Sequence, residues 1–145
     1  MNKTSLNDFF QTLEQVKDQQ YNLYITGLLI SDDKEIIKKC PHDFSLISIE
    51  EKTTKKDFLD SLKKAFSDKK WICFDIKTSH IPSFVEEQLL RIRKTNEVFI
   101  QEEESRTFFN ERQDENIRFF GIINKNDYNS LNINPSKCFM IFYQN

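Results

Sequence analysis

The sequence predicts an α/β domain: a mostly parallel sheet of about five strands with helices on both faces, an N-terminal helix and a hairpin insertion. Three observations lead there. Short apolar runs alternate with amphipathic stretches of about a dozen residues, the pattern of β-α-β units. The run Trp71-Ile72-Cys73-Phe74-Asp75-Ile76 is apolar but for one carboxylate near its end, as expected of a strand buried on both faces, and is read as the central strand. The 145 residues carry no internal repeat and no linker, so one domain over 1–145 is expected.

The elements follow in chain order. Ser5 and Asp8 stand at capping-box spacing, and Leu6, Phe9, Phe10, Leu13 and Val16 repeat at helical intervals, which predicts an N-terminal helix. Tyr21 to Ile30 is rich in strand formers. Ser31 is placed to cap a short helix from Asp32 to Cys40, acidic in its first turn and carrying Lys38 and Lys39 in its last, the charge order the helix dipole favours. Pro41 stops it, and Phe44 to Ile49 alternates as a second strand. Thr54 and Asp57 make another capping box before Phe58, Leu59, Leu62, Ala65 and Phe66, which share one helical face. After the Trp71–Ile76 strand, Pro82, Ser83 and Glu86 open a helix through Val85, Leu89, Leu90 and Ile92. Glu97 to Gln101 and Arg106 to Asn110 read as a strand pair with Glu102, Glu103 and Glu104 at the turn. Ile117 to Ile123 and Lys137 to Tyr143 are the last strands, joined by the Asn-rich segment 124–134.

Composition narrows the function classes. With only two Gly in the chain there is little material for loops that wrap closely around a phosphate or cofactor. A net charge of −2 gives no general attraction to nucleic acid or anionic membrane. No apolar run approaches the roughly 20 residues that span a bilayer, and the N-terminus lacks a signal-peptide core. Cys40, Cys73 and Cys138 are odd in number and far apart, which speaks against a disulfide framework and for a reducing, cytoplasmic compartment. The supply of Phe, notably Phe108-Phe109 and Phe119-Phe120, exceeds the evident needs of the core, and part of it is expected on a contact surface.

The run Lys70 to Asp75, followed by His80-Ile81-Pro82-Ser83-Phe84-Val85-Glu86-Glu87-Gln88-Leu89-Leu90, resembles the Walker B strand and next helix of AAA+ modules, in the branch of dynein heavy chains, midasin and the GTP-driven restriction ATPases. In that branch a hairpin follows, then a strand ending in Asn, to which Asn116-Ile117-Arg118-Phe119-Phe120-Gly121-Ile122-Ile123-Asn124 is similar; Asn134 to Phe139 resembles the lead into the last strand. The likeness covers nearly the whole chain and is one of order, spacing and hydrophobic pattern.

The departures decide what the resemblance implies. A phosphate loop would read G-x-x-x-x-G-K-[ST]. Aligned from Gly27, this chain reads Gly27-Leu28-Leu29-Ile30-Ser31-Asp32-Asp33-Lys34, with carboxylates where polyphosphate would lie. Ile76 takes the place of the water-polarising Glu, and Lys137 that of the arginine finger. Gly27, Asp75 and Asn124 remain as vestigial nucleotide-binding positions, with no catalytic residue, no metal site and no cofactor. The resemblance thus implies a degenerate, catalytically silent module that works through a protein partner or self-assembly, since AAA+ modules act in rings or long chains.

Plainer readings stand beside these. Asp75 equally suits a strand-end turn, Gly27 a strand-end bend, and Asn124 a turn. His42 and His80, each near a cysteine, match no zinc-ligand spacing, and Cys73 in an apolar run is inert filler. The Lys-rich stretch 52–70 and the cluster Arg91, Arg93, Lys94 leave nucleic-acid binding as an alternative, without stacking aromatics. Two further classes remain: an ATPase or GTPase with an atypical phosphate loop, and an unrelated α/β domain of thioredoxin-like or flavodoxin-like kind binding protein or nucleic acid. Strand order separates the last from the others.

Overall fold

A computed structural model describes residues 6–15, 25–40, 43–68, 71–88, 97–102, 107–112, 119–132 and 138–144. Helix α1 (Leu6–Gln15) precedes strand β1 (Ile25–Ile30), a one-turn helix α2 (Ile36–Lys39), β2 (Phe44–Ile49), α3 (Lys55–Asp68) and β3 (Trp71–Ile76). A helix over 83–88 (α4), the strands β4 (Glu97–Glu102) and β5 (Thr107–Arg112), then β6 (Phe119–Ile123), α5 (Lys125–Asn129) and β7 (Cys138–Tyr143) complete the order.

Five strands form one sheet in the order β2-β3-β6-β1-β7, and every pair is parallel. The α/β prediction holds, with one correction: β6, not the Trp71–Ile76 strand, takes the central place. A strand's rank depends on where its crossovers carry it, and local hydrophobicity reports only that it is flanked and covered. β6 is buried at all five positions, which suits the middle. The order also differs from the flavodoxin-like 2-1-3-4-5, because β1 lies between β6 and β7 instead of beside β2.

Alternation of side chains assigns the two faces. On one, Leu29, Cys73, Phe120 and Ile122 pack against Phe9, Phe10 and Leu13 of α1 and Ile36 of α2. On the other, Leu28, Ile47, Phe74 and Phe119 meet Phe58, Leu62 and Ala65 of α3 and Val85 of α4. Phe119 and Phe120 are therefore core residues on opposite faces, 1% and 0% exposed, and the expectation of a contact surface there is overturned. The side chains of Phe108 and Phe109 lie outside the described residues. Gly27, expected at a bend, sits mid-strand and pairs with Phe120 and Met140.

Local chemistry explains where elements start. The Thr54 hydroxyl accepts from the Asp57 N–H at 3.1 Å, and α3 begins there as predicted. The helix expected from Asp32 is cut to one turn. The Asp33 carboxylate accepts the Glu35 N–H at 2.9 Å, and such a local side-chain bond competes with helix formation. Ser31 is buried and caps nothing helical. The predicted hairpin is present as an antiparallel pair with Glu97 opposite Arg112 and Glu102 opposite Thr107, its backbone alongside α3. Glu102 belongs to the strand, and 103–106 lie outside the described residues, as do Ser5, Val16, residues 21–24, His42, 89–94, Ile117, Arg118 and Asn134 to Lys137.

Candidate functional site

Parallel sheets bind ligands beyond the carboxyl ends of their strands, where neighbouring connections leave to opposite faces. Here that place lies between β1 and β6. From β1 the chain runs to α2, whose Ile36 is buried in the cluster with Leu29. From β6 it runs to α5, whose Tyr128 packs against the opposite cluster. The residues entering the crevice are Ser31 to Asp33 from the first loop and Asn124 and Lys125 from the second.

The protein fills this crevice with its own hydrogen bonds. The Ser31 N–H donates to the Ile123 carbonyl at 2.9 Å, extending the β1–β6 ladder past the strand end. The Lys125 N–H, at the start of α5, donates to the Asp32 carboxylate at 3.0 Å. On the other flank the Gln144 N–H donates to the Ile30 carbonyl at 2.9 Å, and the Ser31 hydroxyl donates to Gln144 Oε1.

Two backbone donors of the loop are likewise engaged. The Asp33 N–H donates to Ser31 Oγ at 3.1 Å and the Glu35 N–H to Asp33 Oδ1 at 2.9 Å. Lys39 reaches Asp33 Oδ2 at 2.6 Å. That ammonium first, and the Glu35 N–H second, hold the Asp33 carboxyl below its ordinary pKa, so it stays ionised at neutral pH. A phosphate approaching this loop would meet two carboxylates, with the Asp33 and Glu35 N–H groups already used.

Of the three positions carried over from the resemblance, Asp75 and Asn124 fall at the carboxyl ends of the neighbouring strands β3 and β6, and Gly27 stands apart from them. Gly27 lies three rungs before the end of β1, about 10 Å from the crevice at strand rise. The Gly27–Lys34 alignment therefore places half of a phosphate loop inside a strand; the loop proper begins at Ser31. Asp75 keeps 18% of its side chain exposed and faces Lys77 Nζ at 3.5 Å. Asn124 caps α5: its Oδ1 accepts the Asp127 N–H at 2.7 Å while its Nδ2 donates to Asp127 Oδ2, also at 2.7 Å. The turn reading of Asn124 thus has a defined form. Replacing Asn124 by Ala should destabilise the fold by about 1 kcal/mol, read as a lower urea midpoint at unchanged slope.

Sequence reasoning did not find Ser31, Gln144, Lys125 or Asn132 as the groups that close this end. Asn132 joins two loops, accepting the Ile81 N–H at 2.9 Å and donating to the Ile81 carbonyl at 3.1 Å. Its Asn-rich surroundings signalled a turn and nothing about its partner.

The remaining chemistry is sparse. A cleft of about 250 Å³ beyond β2 is lined by Ser48, Glu50, Lys52, Thr53, Asp57, Phe58 and Ser61, smaller than the usual ligand pocket. Burial raises the Cys40 thiol pKa to about 11, and burial first, with Cys40 and Asp75 nearby, pushes Cys73 further up. Neither is a ready thiolate at neutral pH. Among the described residues no group of three or more His, Cys, Asp and Glu is arranged to hold a metal ion, and no helix is long and apolar enough to cross a membrane.

No known protein family, curated protein or solved structure matches this chain.

Proposed function

We propose that this chain is a non-catalytic assembly module, a pseudoenzyme-like α/β core that neither binds nor hydrolyses nucleotide efficiently and acts through protein contacts. The observation that carries the reading is the crevice between β1 and β6, where Asp32 occupies the Lys125 N–H, and Ser31 and Asp33 occupy the N–H groups of Asp33 and Glu35. Support for the AAA+-like scaffold comes from the strand order. β3 lies beside β6, and β1 is flanked on both sides, as the resemblance implies. Ile76, 2% exposed, is an inert residue in the place of the catalytic Glu.

The test is titration of the full chain with Mg-ATP and Mg-GTP by calorimetry and thermal shift. The expected result is no saturable heat and an unchanged unfolding midpoint at millimolar nucleotide. Micromolar binding, about −8 kcal/mol, would overturn the reading. It would favour the atypical ATPase or GTPase, with Asp75→Ala the first variant to assay for turnover.

A further inference from the structure

We draw no further inference here: the strongest candidate, the outer edge of β2 with Leu46 exposed beside it, is paired with no described strand, and nothing in the structure shows what covers it.

Discussion

Replacing Phe120 by Ala is expected to destabilise the fold by about 3–5 kcal/mol, a large share of the 5–15 kcal/mol typical of a domain. Phe120 lies on the central strand and is fully buried. Its ring stands edge-on to Phe10 at 5.0 Å and to Phe44 at 5.5 Å, with Trp71 at 6.3 Å. Removing it leaves a void bordered by rings from α1, β2 and β3, and large aromatic neighbours collapse poorly into such a space. Phe120→Leu keeps most of the volume and should cost under about 1.5 kcal/mol. Chemical denaturation of both variants checks the pair. If Phe120→Ala lost no more than Phe120→Leu, α1 would not be seated on β6 as described.

That core explains which parts of the fold were legible in the sequence. Phe44–Ile49 was readable to the residue from its alternation and Trp71–Ile76 from its apolar run, each with polar flanks. The start of α3 was readable because Thr54 and Asp57 are neighbours in sequence. What failed was non-local. Phe119-Phe120 looked like surplus apolar surface because a doublet says nothing about having a helix on either side. The β3 strand looked central because an apolar run does not distinguish the middle of a five-stranded sheet from the next place out.

The candidate site failed for the same reason. Two acids at 32 and 33 are read as a loop hostile to phosphate, and both lie in the loop that follows β1. That Asp32 reaches an N–H ninety-three residues away could not be seen from spacing. The short helix after the loop was mispredicted by a local competitor: Asp33 bonds the Glu35 N–H instead of starting a helix, and no propensity scale ranks those two outcomes for a single residue.

Gly27 is where the two accounts of this chain separate most cleanly. A phosphate-loop glycine can be replaced by Ala with loss of nucleotide and little loss of stability. A glycine under a helix cannot. A Cβ built at Gly27 would stand 2.8 Å from Leu13 Cδ2 and 2.9 Å from Phe9 Cζ, and both side chains are buried at the contact of α1 with β1. Gly27→Ala should therefore cost about 1–3 kcal/mol from overpacking, less a few tenths returned by a stiffer unfolded chain. Gly27→Val adds branches toward the same atoms and should reach or exceed the upper end of that range. Leu13→Ala alone removes a fully buried side chain and should cost about 2–5 kcal/mol. In the double variant the new methyl occupies part of the space Leu13 leaves, so the combined loss should fall short of the sum by about 0.5–3 kcal/mol. Additive losses in urea melts would mean that α1 does not rest on Gly27. The coupling, if found, makes this glycine a seat for the N-terminal helix, and the chain's other glycine, Gly121, lies inside β6, so neither glycine stands in a loop that could cradle a phosphate.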